Sequence, residues 1–163
     1  MENNIRTATV EDADVLVDLF IGNLKKHSEY ISHGEMQMGV GLANGDVAIH
    51  GAETWKKYIV QKIENSQSEV YVCETADAIE GFAVVEIDDD GGDPFGVLCD
   101  LYVLPDCRTK GLGSLLFDVG LSWLKGNGIT EFYLESGKDN HSAHTFFEKR
   151  GFKMVSHIYY RSK

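Results

Sequence analysis

The chain of 163 residues is long enough for one domain around a single hydrophobic core. Hydrophobic residues make up 43% and charged residues 25%, without an apolar run of about 18 residues or a signal-like start, so we expect a soluble protein with no membrane partner. The formal charge of −11 repels phosphate backbones at long range, which argues against nucleic acid as a partner.

Cys73, Cys99 and Cys107 are odd in number and form no C-x-x-C pair. Two of them fall in apolar runs, where a free thiol acts as a small hydrophobic group. We therefore expect free cysteines and a reducing, cytoplasmic setting.

The N-terminal part of the chain predicts a strand and two helices. Residues 5–8 read as a short strand, after which Thr9 and Asp12 resemble a capping box, followed by apolar residues at helical spacing. Residues 30–50 are rich in Gly, His and Met without a clear period and predict a loop with irregular turns. A second helix is expected over 52–65.

Strand-like runs follow from residue 69 onward. Residues 70–73 and 82–87, joined by a turn at 75–79, predict a hairpin. The acids, glycines and proline of 88–94 predict another turn, because they break strand pairing, and 96–104 predicts a third strand.

The C-terminal part of the chain predicts two more helices and two more strands. In order, these are a helix over 112–123 closed by Gly126 and Gly128, a strand over 132–135, a helix from an Asn140 cap to Arg150, and a last strand over 152–160. Strands with interposed helices and a local meander predict a mixed sheet covered by helices.

Residues 101–114 run from strand through turn and glycine loop into a helix. Gly111 and Gly113 at the helix start allow backbone N–H groups to converge on an anion, and the positive helix end suits pyrophosphate. Arg108 and Lys110 flank the loop and carry complementary charge. Alternatively, the glycines only permit tight packing. A dinucleotide fingerprint is excluded because it requires Gly where Leu116 stands.

Arg108, Gly111 and Gly113, preceded by a strand and Pro105, resemble the acetyl-CoA-binding motif R/Q-x-x-G-x-G/A of the GNAT superfamily. A second block, from Asn140 through a Gly-Phe turn at 151–152, resembles the later motif of that family. The two blocks occur in the family's order, and the chain is identified as a member of it.

The resemblance implies an α/β (α+β) fold in a single N-acetyltransferase domain over 1–163. Its mixed, mostly antiparallel sheet of 6–7 strands would be flanked by about four helices and would splay between two parallel strands. It also implies acetyl-CoA as acyl donor and no metal.

Carried over residue by residue, the resemblance implies three sets of cofactor contacts. Leu101, Tyr102 and Val103 would contact pantetheine and the thioester. Asn140 would contact the cofactor, with Phe147 beside its sulfur end, although Asn140 also suits a plain helix cap. The pyrophosphate would be held by Arg108, Thr109, Lys110, Gly111, Leu112, Gly113 and Ser114.

Transfer to an amine requires a proton acceptor. An alkylamine with a pKa near 10.4 is neutral in about one molecule in 2,500 at pH 7, equivalent to roughly 4.6 kcal/mol against attack. Asp100 is the first candidate base, because the family often places an acidic residue there, followed by Glu86 and then Glu135. Each carboxylate alternatively has a structural or solvated role.

The sequence departs from the family at Phe147, where a Tyr is common and is often assigned as the acid for the leaving thiolate. Water, Tyr102, Tyr133 or His144 are substitutes, and a thiolate leaves readily because its conjugate acid has a pKa near 8.5. His141 and His144 are expected to be exposed helix residues and not metal ligands.

The sequence thus predicts an N-acetyltransferase that moves an acetyl group from acetyl-CoA to a primary amine by direct attack in a ternary complex. Backbone N–H groups of the splayed strand would hold the oxyanion. The acceptor would be a small-molecule or peptide amine, with its site shaped by residues 28–52, where Tyr30, Glu35 and Asp46 are candidates. The resemblance to the family also suggests a homodimer. The alternatives are a non-catalytic acyl-CoA-binding or regulatory module, or a structural α/β domain without cofactor.

Overall fold

The computed structural model describes residues 4–76 and 78–163. These described residues form five strands and five α-helices. In order they are β1 (Asn4–Thr7), α1 (Ala13–Lys26), α2 (His33–Met38), α3 (Gly51–Glu64), β2 (Ser68–Glu74), β3 (Ile79–Asp88), β4 (Phe95–Val103), α4 (Leu112–Gly126), β5 (Phe132–Leu134) and α5 (His141–Glu148). Short 3-10 helices cover Val10–Asp12, Ser28–Tyr30 and Pro105–Lys110.

The strands form one mixed sheet in the order β1-β2-β3-β4-β5. The first four are antiparallel neighbours, and β4 and β5 are parallel. The expectation of 6–7 strands is wrong for the described residues. Residues 152–160, which the sequence predicted as a strand, form no strand. These residues have strand propensity, but no described neighbour pairs with them, and propensity alone does not hold a strand.

Helices cover both faces of the sheet. On one face α1 and α3 pack over β2 and β3. The rings of Phe20 and Trp55 stack between the two helices, with their centroids 4.3 Å apart. On the other face α4 packs over β3 and β4 through fully buried Leu112 and Leu116. The amphipathic spacing that predicted these helices therefore marks the two core faces.

The capping box predicted at the first helix is present. The Thr9 N–H donates to Asp12 (2.8 Å), and α1 follows at Ala13. The predicted turn at 75–79 includes residue 77, which lies outside the described residues, while the Thr75 N–H donates to Ala78 O (3.0 Å). Among the described residues, no helix is both long and apolar enough to cross a bilayer.

The predicted irregular loop at 30–50 contains a helix, α2. Ser32 and Glu35 form a capping box at its start, and Gly39, with φ of 80°, ends it in the left-handed conformation. Six residues are too few to show an apolar period, so only the Ser-x-x-Glu spacing signalled this helix.

Gly120 sets how closely α4 approaches the sheet. A Cβ built there would lie 2.9 Å from Val85 Cγ1, whereas one at Gly126 would meet nothing within 4 Å. We expect Gly120→Val to lower the free energy of unfolding by about 1–3 kcal/mol through overpacking, as measured by chemical denaturation. Gly126→Val is the matched control, and an equal loss in both variants would contradict this packing argument.

Candidate active site

A β-bulge in β4 determines the geometry of the site. Asp100 pairs with Val84, but Val85 pairs with Leu98, so Cys99 is an extra residue in β4. Leu98 packs on the α4 side of the sheet, while Cys99 and Asp100 both face α3. The bulge thus places two successive polar side chains on one face, where strict alternation would have separated them.

The parallel pairing of β4 with β5 ends at the same point. Gly96, Val97 and Leu98 pair with β5, and β4 then continues to Val103 beyond the last residue of β5, Leu134. The backbone of residues 99–103 is therefore open on the β5 side of the sheet. An opening at the carboxyl end of two parallel strands is a common place for a ligand.

Asp100 lies at this opening. Tyr58 of α3 donates a hydrogen bond to Asp100 Oδ2 (2.7 Å). Burial raises the pKa of Asp100 to about 7, and the charge of Glu35 adds to the rise, while the Tyr58 hydrogen bond and Lys62 oppose it. The residue keeps some solvent exposure. Asp100 is thus a half-buried residue whose carboxyl changes charge near neutral pH.

Glu86 lies nearby but in a different environment. It forms an ion pair with Lys62 of α3 and accepts a weak hydrogen bond from Cys99 Sγ (3.7 Å). Burial and the neighbouring Asp100 raise the pKa of the Cys99 thiol to about 12, so this cysteine stays protonated. Glu86 is therefore already engaged by a cation of the protein.

The glycine loop adjoins the end of β4. Gly111, with φ of 76°, ends the 3-10 helix Pro105–Lys110 and caps α4 in the left-handed conformation that glycine adopts without strain. A Cβ at Gly113 would lie 3.7 Å from Phe146, an ordinary contact. The start of α4 therefore presents backbone N–H groups with little side-chain cover.

Cationic side chains surround the start of α4. Arg108 donates to Val103 O (3.1 Å) and to the Tyr30 hydroxyl (3.3 Å). Arg150, after α5, donates to Ser114 Oγ and lies over the Phe146 ring, with Cζ 3.5 Å from the centroid. Lys110 instead forms a salt bridge with Glu80 (3.4 Å), which directs its charge away from the loop.

The segment 28–38 closes the other side of the opening. Glu135, directly after β5, accepts hydrogen bonds from Ser32 Oγ (2.7 Å) and Gly34 N (3.1 Å) and contacts His33 Nδ1 (2.6 Å). A Cβ at Gly137 would lie 2.4 Å from Glu29 O, so backbone packs on backbone here. Glu135, predicted as a third candidate base, holds α2 in place.

Other predicted residues have mainly structural contacts. Asn140 caps α5 by accepting from Ala143 N (3.3 Å). Phe147 packs in an aromatic cluster with Phe117 and Phe152. Leu101, Tyr102, Val103 and Leu112 are buried or half-buried, whereas Thr109 is exposed.

The remaining candidates do not join the opening. Tyr133 lies on β5, paired with Val97, and Asp46 lies in a surface turn held by Asn44. His144 Nε2 lies 2.9 Å from Gly137 O. Within residues 4–76 and 78–163 no three His, Cys, Asp or Glu residues cluster as metal ligands.

Sequence reasoning missed three residues at the site. Tyr58 contacts Asp100 and Lys62 contacts Glu86, both from the same face of α3. Their spacing in the sequence predicts a helix but does not predict the bulge that turns Asp100 towards α3. Arg150 follows α5 in the chain and reaches Ser114 of α4 through the packing of the two helices. Their roles arise from tertiary contacts.

A family model for the acetyltransferase (GNAT) family matches residues 45–152. The chain therefore belongs to the GNAT acetyltransferase family, as its two motifs indicated.

Similar proteins agree with this assignment. The chain is 34% identical over 71 residues to the uncharacterized N-acetyltransferase YobR of Bacillus subtilis, covering 44% of the chain and 29% of that protein. It is 33% identical over 70 residues to an aminoglycoside N(6')-acetyltransferase type 1 of Acinetobacter haemolyticus, covering 43% and 48%. These matches span less than half of each relative.

The whole fold is matched by solved structures. A predicted acetyltransferase from Clostridium acetobutylicum, crystallised with acetyl-CoA, superposes with a TM-score of 0.70 at 17% identity, covering 99% of this chain and 96% of that one. At this identity the likeness establishes the mixed α/β fold.

We expect the Asp100 carboxyl to titrate near pH 7 when followed by ¹³C NMR, and Tyr58→Phe to move this pKa upward, because a hydrogen bond that favours the carboxylate is lost. The native state then binds more protons than the unfolded state between about pH 4 and 7. Asp100 therefore lowers the free energy of unfolding as pH rises through that window. Tyr71→Phe serves as control, and an Asp100 pKa near 4 would contradict the assignment.

Proposed function

We propose that this chain transfers an acetyl group from acetyl-CoA to the primary amine of a small cationic molecule by direct attack. One observation carries the proposal: the half-buried Asp100 lies where β4 parts from β5, on the strand that leads into the glycine start of α4. Donor and acceptor can therefore meet beside a group suited to accept a proton.

The residues around the opening fit acetyl-CoA. The start of α4 leaves room for an anion, since a Cβ at Gly111 would meet nothing within 4 Å. Arg108, Ser114 and Arg150 surround that space with donors, and the free backbone of 99–103 suits an amide-containing arm. When bound, acetyl-CoA supplies an activated thioester carbonyl.

Asp100 is the better of the two candidate bases. A carboxyl with a pKa of about 7 is matched to proton transfer near neutral pH, whereas Glu86 is already held in an ion pair by Lys62. Tyr58 keeps the Asp100 carboxylate oriented from the α3 side. In the proposed mechanism the amine loses its proton to Asp100, directly or through water, and the amine nitrogen attacks the carbonyl.

Two residues considered for protonating the leaving thiolate are poor candidates. Phe147 has no hydroxyl, and Tyr102 is 9% exposed with its ring packed near Phe82. We assign this step to water, because a thiolate with a conjugate pKa near 8.5 needs little acid assistance.

The acceptor side is acidic. Glu35, Glu135 and Asp100 lie around the opening, and the chain carries a formal charge of −11. Such a field attracts polyamines, amino sugars and other cations. The names of the Acinetobacter relatives give aminoglycosides as their acceptors, which supports testing amino sugars first.

A panel of amino sugars, polyamines and peptides screened for free-CoA release tests the activity. We expect turnover with a polycationic amine. Added salt should lower this turnover, because it screens the electrostatic attraction between the amine and the protein. Tight acetyl-CoA binding without CoA release for any amine would favour the non-catalytic acyl-CoA-binding alternative.

Gly113→Val should weaken acetyl-CoA binding about tenfold to a hundredfold, as each charge-assisted hydrogen bond to phosphate contributes roughly 1.5–3 kcal/mol. The first side-chain carbon makes only ordinary contacts in the free protein, so the fold should persist. Calorimetry measures the affinity, with Gly126→Val as control. Unchanged affinity in a folded Gly113→Val protein would overturn the loop assignment.

Asp100→Asn should lower turnover by about 10²- to 10⁴-fold at neutral pH, with little change in acetyl-CoA affinity. The loss should shrink as pH rises, because free amine then forms without the base. Steady-state pH profiles of Asp100→Asn, Glu86→Gln and the exposed-residue control Asp118→Asn measure this. Near-full activity in Asp100→Asn would exclude Asp100 as the base, and a pH-rescuable defect in Glu86→Gln alone would assign the role to Glu86.

A further inference from the structure

Lys62 of α3 is an unusual lysine, because its side chain is only 13% exposed. Lysines are rarely buried to this extent unless they are paired. Lys62 lies one helical turn after Tyr58, and its Nζ lies 5.4 Å from the centroid of the Tyr58 ring. This distance is within the range of a cation–π interaction. The ammonium therefore lies beside the residue that donates a hydrogen bond to Asp100.

Both ends of Lys62 are fixed. At the backbone, the Ser68 hydroxyl donates to Lys62 O (2.7 Å), and Ser68, itself 4% exposed, lies opposite Glu86 in the pairing of β2 with β3. At the side chain, the ammonium forms its ion pair with Glu86, which also accepts from Cys99 Sγ (3.7 Å). The ammonium is thus held next to the Tyr58 ring, with Glu86 as its partner.

We propose that Lys62, anchored by Glu86, is a positioning residue that holds Tyr58 and the Asp100 carboxylate in their reactive arrangement. The proposal rests on the role of Asp100 as the base in the proposed function. The ammonium holds the Tyr58 ring through the cation–π contact, and its charge favours the ionised form of the carboxyl that the Tyr58 hydroxyl binds. Burial and the charge of Asp100 raise the pKa of Tyr58, so its hydroxyl stays protonated and donates.

The charges around Asp100 show what Lys62 contributes. Burial and the charge of Glu35 raise the pKa of Asp100, whereas the Tyr58 hydrogen bond and the charge of Lys62 lower it. The Cys99 thiol stays protonated, because burial raises its pKa to about 12. Lys62 therefore supplies the positive charge that opposes burial and Glu35. The titratable groups that face Asp100 or its partners are Tyr58 and Lys62 of α3, Glu35 of α2, Glu86 of β3 and Cys99 of β4.

The intervening tyrosine lets a lysine assist the base without blocking it. A lysine bound directly to Asp100 would occupy the place of a cationic acceptor. Tyr58 instead binds Oδ2, so Oδ1 is the oxygen left for the amine. Glu86 keeps the ammonium of Lys62 from moving to Asp100. Glu86 therefore acts as an anchor and not as a second base.

The pKa of Asp100, followed by ¹³C NMR in the protein without acetyl-CoA, tests this contact independently of acetyl transfer. Lys62→Met should raise the pKa from about 7 by roughly 1, because the carboxylate loses a favourable charge, whereas Lys62→Arg should stay nearer to the wild type. The control is Lys57→Met, the same change at an exposed position of α3. An unchanged Asp100 pKa in a folded Lys62→Met protein would overturn the proposal.

A second variant guards against loss of the fold. Lys62→Met alone leaves Glu86 without its counter-ion, whereas Lys62→Met combined with Glu86→Gln removes both charges. The double variant should raise the Asp100 pKa in the same direction. An Asp100 pKa that stays near 7 in the folded double variant would also refute the proposal.

Steady-state pH profiles with a reactive amine test the positioning role itself. In Lys62→Met the acid limb of kcat/KM should move to higher pH, with a loss of about tenfold below the limb, recovery above it and unchanged acetyl-CoA affinity. A purely structural role would lower the whole profile evenly and would contradict the proposal. The two possible failures differ. Full activity in Asp100→Asn would remove the base and this proposal together, whereas an inactive Asp100→Asn with an unmoved acid limb in Lys62→Met would refute the positioning role alone.

Discussion

The site depends on the point at which β4 stops pairing with β5. Up to Leu98 the two strands are parallel neighbours, and from the Cys99 bulge onward β4 is paired only with β3. If pairing continued to Val103, the backbone would be satisfied and no ligand could enter. The bulge at the end of this pairing also turns Asp100 towards Tyr58, so one extra residue positions the candidate base beside the opening.

Close backbone contacts support that opening from outside. Glu135 follows β5 immediately and holds the start of α2, while Gly137 packs against the backbone of Glu29. Arg108 at the glycine loop contacts Tyr30. The loop, the end of β5 and the 28–38 segment are thus joined by direct contacts, and a change in one alters the support of the others.

Much of this structure could be predicted from sequence, because its signals are local. Apolar spacing predicted α1, α3 and α4, and Gly111 and Gly113 marked the start of α4. The bulge at Cys99 could not be predicted, since it arises from register between strands, and the contacts of Tyr58 and Arg150 likewise depend on tertiary packing. Residues 152–160 show the reverse case: their local pattern is that of a strand, but a strand also requires a neighbour to pair with.

The two sides of the opening carry opposite charges, which the net charge of the chain does not show. The chain is strongly acidic, yet Arg108 and Arg150 lie at the start of α4, where the helix dipole adds positive potential. Lys110 is neutralised by Glu80, so the positive region is confined to the loop itself. On the other side burial, together with the charge of Glu35, raises the pKa of Asp100, so a cationic amine brought close would lower that pKa again. An acceptor's charge therefore favours the carboxylate form of Asp100, the form needed to accept a proton.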